Sequence, residues 1–381
     1  MRESTKIVII VFCLVAIGVV MIYSTSAIYA STRYQDYLYF FKRSLIWILL
    51  SVAGFFVGYF ISYKWMGKCS FFVFLFAMGL LFLVFTPFGV EAGGARRWVN
   101  LRFLSFQPSE IMKFASVLFL SSFMAKHHEK SGSLTGFFIP VLMIISLSTL
   151  PIFAEPDFGT SALIGSVGMM ILIVAGAKIR YIAFLFFSML PAVYLTVVQV
   201  PYRLQRVLVF LDPWKEAKST GYQIIQSFIA IQSGGIFGVG LGESRQKLFY
   251  LPEAHTDFIF SILGEELGFL GAVGVVVLFF LFIYYGLKIA LRADNPFGKF
   301  FASGLVAMIG IQAFLNMGVV TGVLPTKGLP LPFISYGGTN LVMTMVAVGV
   351  ILNIDRFSRE KTALKVSVKE QKTRISKYVR L

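Results

Sequence analysis

The stretch Tyr250–Leu287, YLPEAHTDFIFSILGEELGFLGAVGVVVLFFLFIYYGL, holds one Asp and three Glu in its first 17 residues and then no charge for 21. From Phe258 onward it is apolar for longer than the roughly 20 helical residues that cross a hydrocarbon core of about 30 Å. It therefore reads as a transmembrane helix entered from a loop in which carboxylates gather. An ionised carboxylate is costly inside a membrane, so their clustering at the entry to this helix needs a chemical reason.

Runs of the same kind recur. About ten are present, near 7–28, 44–62, 69–87, 108–125, 136–153, 158–176, 180–200, 258–287, 299–324 and 336–354. The chain is 57% hydrophobic and 14% charged, against about 25% charged residues in a soluble domain. Its mean hydropathy is +0.81. The expectation is an all-α polytopic membrane protein, a single integral membrane domain over residues 1–381. Extracytoplasmic loops fall at about 88–107 and 201–257, the longer one between the seventh and eighth spans, and a basic tail occupies about 355–381. No fixed-period repeat is visible.

Basic residues set the expected orientation. With the N-terminus cytoplasmic, inner segments hold about 20 of the 34 Lys and Arg, nine of them in the tail. Both termini are then cytoplasmic. About 13 basic residues remain outside, suited either to anionic lipid headgroups or to a phosphate-bearing substrate. The first run reads as an uncleaved helix, longer than the apolar core of a signal peptide. Cys13 lies within it and Cys69 at the start of another, an arrangement that suggests neither a disulfide nor a Cys/His metal site. The tail RFSREKTALKVSVKEQKTRISKYVRL reads as a membrane-surface or solvated segment and not as a nucleic-acid arm.

In this topology the acidic residues collect on the outer side. In FQPSEIMKF, Phe106–Phe114, Pro108 pre-sets a first helical turn, and Lys113 lies one turn past Glu110 on the same face. A lysine at that depth should face the bundle interior with Glu110 as its partner, either as a structural ion pair or as part of a polar cavity. The preceding loop, GVEAGGARRWVNLRFLSF, supplies Arg96, Arg97 and Arg102. Their guanidinium groups fit phosphate oxygens of either a headgroup or a substrate pyrophosphate.

In AEPDFGT, Asp157 is placed to cap the next helix. LPTKGLPLPFISYGGTN, with Lys327 and Ser335, has too many prolines for a regular helix, so at membrane depth its backbone must line protein or a wet cavity. YRLQRVLVFLDPW and GYQIIQSFIAIQSGG read as two amphipathic helices separated at Asp212-Pro213. The glycines of SGGIFGVGLGES follow no strand, which excludes a dinucleotide site. Asp257 itself fits either an N-cap or a reactive carboxylate. Along a regular helix, Glu265 is displaced from it by roughly 80° and Glu266 by about 180°, so at most Glu265 shares its side.

The segments QPSEIMKF, EPDFGT, DPW…GYQIIQS, GGIFGVGLGES, YLPEAHTDFIF, GEELGFLG and LPTKGLPLPFISYGG, in order over residues 90–350, resemble the SEDS family (shape, elongation, division and sporulation). GVLPTKGLPLPFISYGG and PEAHTDFIF are similar to its FtsW-type division branch more than to the RodA-type elongation branch. Thr339-Asn340 departs from the pair of serines expected there, and GLPLP leans towards the elongation branch.

The resemblance implies a peptidoglycan glycosyltransferase. Such an enzyme polymerises lipid II, an undecaprenyl-pyrophosphate-linked disaccharide peptide, into glycan strands at the outer face of the bacterial inner membrane. The implied partners are a class B penicillin-binding protein and other membrane proteins of the divisome or elongasome. The resemblance puts the essential carboxylate at Asp257 and a central cavity at Glu110 and Lys113. The expected substrate-binding set is then Glu110, Lys113, Arg96, Arg97, Arg102, Asp157, Lys327 and Ser335, with a divalent cation, Mg or Mn, as expected cofactor. Lipid II flipping is the alternative function, and a non-catalytic scaffold a third, although no repeated half points to a transporter.

Overall fold

The computed structural model describes every residue except 1, 93–94, 101–104, 185–186, 188–193, 195–200, 218–220, 327 and 380–381; for 92, 201–203, 206–207, 362 and 364–379 it describes the backbone alone. The apolar runs become helices: α1 (Glu3–Tyr34), α2 (Tyr39–Phe60), α3 (Tyr63–Leu83), α4 (Pro108–Lys126), α5 (Ile139–Ala154) and α6 (Phe158–Val174). The seventh run lies mostly outside the described residues. In the long loop follow α7 (Pro201–Leu211), a 3-10 turn Pro213–Glu216 and α8 (Tyr222–Gly234); α9 (Ile259–Leu291), α10 (Pro296–Val320) and α11 (Gly338–Val379) complete the chain.

Seven of these segments are long and apolar enough to cross a membrane. α6 is shorter. α4 carries Glu110, Lys113 and four serines, and nearly all of its surface is covered by α3, α5, α6, α10 and α11. α4 and α10 are the central helices; α2 and α3 present Phe56, Phe60, Phe72 and Phe76 outward, as a lipid-facing surface requires. The most extensive helix pair is α2 with α11. Gly58 lies on the Val346 carbonyl and Gly349 on the Phe55 carbonyl so closely that a Cβ at either would collide with backbone. Close backbone approach of this kind drives helix association where lipid gives no hydrophobic gain.

The two ends of the bundle differ. At one, Glu3 of α1 pairs with Arg292 (2.7 Å) and Arg359 (3.1 Å), while Asp294 takes Tyr63 (2.7 Å) and Lys361 (2.9 Å). The start of the chain and the base of the C-terminal helix thus share an end, and α10 runs from it to the opposite end.

Within the 88–107 loop, Gly89–Ala92, Ala95–Asn100 and Ser105–Phe106 form a small antiparallel sheet in that order, because Val90, Trp98, Val99 and Phe106 supply strand-forming side chains between polar ones. One expectation needs correction. The 258–287 run is not one unbroken helix. Gly268, at φ 68° and ψ −170°, interrupts α9. There Phe269 and Leu270 donate to the carbonyls of Gly235 and Ile236 (2.9 and 3.2 Å), and the Glu265 and Glu266 carbonyls accept from Val239 and Gly240 (3.0 and 3.1 Å). The glycine-rich loop replaces the lost intrahelical bonds, which lets the interruption stay buried.

Candidate active site

At the end of the bundle away from Glu3, three segments meet: the loop entering α9, the proline-rich segment 325–337 and the α5–α6 turn. The first carries Asp257. Three consecutive carbonyls of this loop are each held by a neighbour: His255 O accepts from Tyr336 N (3.0 Å), Thr256 O from Ser335 Oγ (2.6 Å) and Asp257 O from Asn316 Nδ2 (2.7 Å). The peptide is fixed through its backbone. Its carboxylate accepts no hydrogen bond from a described residue and retains part of its surface. Asp257 does not cap α9, whose cap position is Phe258 without any side-chain bond.

Burial, then the nearby Glu253 and Asp157 charges opposed by Arg97, push the Asp257 carboxyl up to about 7. Its titration therefore falls where a general base works best. The neighbouring His255 packs among Tyr29, Phe40 and Tyr336. Burial lowers its proton affinity, so the ring is neutral at pH 7.

The α5–α6 turn presents two more carboxylates. Asp157 does cap α6: Oδ1 accepts from Thr160 N (3.1 Å), and Oδ2 from Thr160 Oγ1 (2.9 Å) and Gln107 Nε2 (3.3 Å). Glu155 is 1% exposed, and neither of its oxygens has a hydrogen-bond partner among the described residues. Burial, then repulsion from Asp157, raises its carboxyl to about 8 despite Arg97 nearby. Arg97 reaches from the small sheet to donate to Pro156 O (2.6 Å) and Glu155 O (3.4 Å). It is the guanidinium whose charge is felt by both Asp257 and Glu155.

Deeper in α4, Lys113 Nζ lies 2.6 Å from Glu110 Oε2, both side chains 3% exposed. Asn340 donates to the same Glu110 oxygen (2.8 Å), and Lys113 donates to Gln312 Oε1 (2.7 Å). Gln312 and Asn316, one turn apart on α10, then hold the Pro330 and Leu329 carbonyls (both 2.8 Å). The proline-rich backbone is thus satisfied by side chains of a central helix, as an irregular segment inside a membrane protein must be. Thr339 accepts from Gln107 N (3.2 Å), so both residues of the unusual Thr-Asn pair join this network.

Of the expected substrate-binding residues, Glu110, Lys113, Asp157 and Arg97 belong to this connected region. Ser335 is turned to structure: it accepts from Leu331 N (2.8 Å) and donates to Thr256 O. Arg96 is exposed on the sheet. Arg102 and Lys327 lie outside the described residues. Glu265 does not join Asp257, because α9 begins only at Ile259; its oxygens take Ser244 Oγ and Arg245 N (3.0 Å for the latter). Sequence reasoning missed Gln107, Gln312, Asn316 and the isolation of Glu155. The i, i+4 pair Gln312/Asn316 inside an apolar run was the available signal.

Fold and site define a class: a polytopic membrane protein with carboxylates and a guanidinium gathered at one end of the bundle and a buried ion pair deeper in it. The chain belongs to the FtsW/RodA/SpoVE family of cell cycle proteins, whose model matches residues 4–360. It is 42% identical over 354 residues to a probable peptidoglycan glycosyltransferase FtsW of Geobacter metallireducens, covering 93% of this chain and 94% of that one. It is 41% identical to stage V sporulation protein E of Bacillus subtilis, with 93% and 97% covered. Among solved structures it is similar to Thermus thermophilus RodA (TM-score 0.68, 25% identity, 92% and 95% covered). It is also similar to a chain described under structural coordination of polymerization and crosslinking by a peptidoglycan synthase complex (TM-score 0.75, 26% identity, 92% and 97% covered). Similarity to the FtsW-type relatives exceeds that to RodA.

Proposed function

We propose that the chain polymerises lipid II into glycan strands at the outer face of the bacterial inner membrane during division, with Asp257 as general base. Both termini are then cytoplasmic, and a class B penicillin-binding protein crosslinks the product. The family relationship supports the reaction class. The observation that carries the residue assignment is Asp257 itself, whose loop is fixed by three backbone bonds and whose carboxyl takes no hydrogen bond from a described residue and titrates near neutrality under the influence of a guanidinium.

In the reaction, the 4-hydroxyl of one sugar attacks the anomeric carbon of another, and the bond to undecaprenyl pyrophosphate breaks. A sugar hydroxyl is a poor nucleophile. Asp257 accepts its proton as the new C–O bond forms, a contribution of typically 10²–10⁴ in rate. The diphosphate leaves with the bonding electrons, and Arg97 is the cation proposed to stabilise that charge. Asp157 and Gln107 fix the turn against which the substrate rests, and the neutral Glu155 carboxyl offers an O–H donor. Lys113, already paired with Glu110, keeps the interior beneath these residues polar.

Among the described residues no three His, Cys, Asp or Glu side chains close on one point. A divalent cation would arrive with the diphosphate and be held by one or two carboxylates, Asp157 with Asp257, in the manner of Mg. When bound it would neutralise the leaving group's charge.

The test is labelled lipid II given to the purified chain, with and without its cognate penicillin-binding protein, and resolved for glycan strands. Strand synthesis is expected. Transbilayer movement of lipid II with no strands under any condition would favour a flippase instead.

A further inference from the structure

The four carboxylates of the 250–266 stretch divide into two pairs with different tasks, and the deeper pair leads to a residue outside the site. Glu266 Oε1 accepts from Ser24 Oγ of α1 (2.6 Å) and from Lys247 Nζ (3.0 Å), the two ion-pair side chains being 0% and 5% exposed. Lys247 Nζ also donates to Gly242 O (2.5 Å) and Ser24 Oγ (3.2 Å). One residue earlier on α9, Glu265 takes Ser244 Oγ and Arg245 N. Lys247 and Ser244 precede Asp257, whereas Glu265 and Glu266 follow it. The contacts close a loop of about 20 residues at its base, with Asp257 near the middle.

The tip of that loop is held by Tyr336, Ser335 and Asn316, two of which belong to the irregular segment 325–337. These bonds set how far the tip reaches; nothing in them sets where the loop enters and leaves. That is decided at the base, on the short first part of α9, Ile259–Leu267, ahead of its interruption at Gly268. The glycine-rich loop holds that part by backbone bonds, and a buried ammonium adds a side-chain tie that joins it to the incoming chain and to α1.

We infer that Lys247 is a positioning residue for Asp257, closing the catalytic loop through Glu266 and Ser24. The inference rests on Asp257 being the general base, yet the position of the loop can be measured without that assumption. Lys247→Met combined with Glu266→Gln removes both charges and orphans neither; Lys247→Arg keeps the charge and the reach. Two readouts are taken on the full chain in detergent with its penicillin-binding partner: amide hydrogen exchange, and steady-state polymerisation of lipid II.

In the double variant, exchange over residues 248–258 should accelerate at least tenfold while α4 and α10 stay protected. kcat should fall by at least tenfold with KM changed less than about twofold, and Lys247→Arg should recover at least a third of the parental kcat. Parental exchange at 248–258 overturns the inference. So does parental kcat in a double variant with a loosened loop, and so does acceleration spread over the whole bundle, which marks Lys247 as a general stabiliser. A parent chain that makes no strands contradicts the proposed function, while the exchange arm still decides whether Lys247 holds the loop.

Discussion

Glu155 is a buried carboxyl that no described group hydrogen-bonds, and its proton affinity is raised to about 8. Between the ordinary carboxylate pKa near 4 and this value, the folded chain binds a proton that the unfolded chain does not. That contribution to stability is complete below about pH 4 and disappears as pH rises to about 8. Glu155→Gln should therefore melt closest to the parent at pH 4 and furthest above it at pH 8, as followed by differential scanning fluorimetry. A constant offset at both pH values would contradict a protonated Glu155. Arg97 and Arg96 form a second residue-scale contrast, adjacent in one strand but only the first bonded to the α5–α6 turn. Arg97→Ala should lower lipid II polymerisation by at least tenfold, Arg97→Lys should restore part of it, and Arg96→Ala should stay within about threefold of the parent in the same assay. Equal losses at both positions would assign this strand to headgroup contact. The sequence makes the three arginines equivalent, since a basic loop carries no mark of which side chain folds inward. Asp257 was legible from its place at a helix entry and from the family resemblance. That no described residue bonds the Glu155 carboxyl was not, because it depends on what fails to arrive from elsewhere in the chain.

At the scale of elements, α4 shows what periodicity can deliver. The i, i+3 spacing of Glu110 and Lys113 is enough to expect an interior pair, and the structure adds the Asn340 and Gln312 bonds that complete it. Removing one member leaves a buried charge alone, at a cost of about 3–5 kcal/mol, whereas removing both leaves none. Lys113→Met should accordingly destabilise more than Lys113→Met with Glu110→Gln, and a thermal-melt double-mutant cycle should show strong non-additivity. Additive losses would mean that the pair is not coupled. α9 shows the limit. GEELGFLG continues an apolar run, and glycine is common in membrane helices, so nothing local marks Gly268 as a break. The break exists because a loop some thirty residues earlier supplies substitute hydrogen bonds, a long-range contact that local pattern cannot carry.

The whole molecule is a bundle with two chemically distinct ends. Charge pairs around Glu3, Asp294 and Arg359 tie the N-terminus to the last helix, and Asp257, Asp157, Glu155 and Arg97 gather at the other end. With the orientation that the basic residues favour, a reporter fused after Leu381 should be cytoplasmic and one inserted near Lys218 on the outer side; both on one side would overturn this arrangement. The central claim, that Asp257 does the chemistry, is tested most directly by strand synthesis from lipid II with the purified Asp257→Asn variant and the parent, from pH 5.5 to 8.5 at fixed divalent-cation concentration. Asn keeps the shape and leaves the backbone bonds from Asn316 and Ser335 intact, but it cannot take up a proton. The parent's rate should rise through about pH 7 as the carboxylate forms, and the variant, folded and partner-bound, should fall by about 10² or more with no such rise. A variant that makes strands at close to the parental rate, with the same pH dependence, would contradict the account.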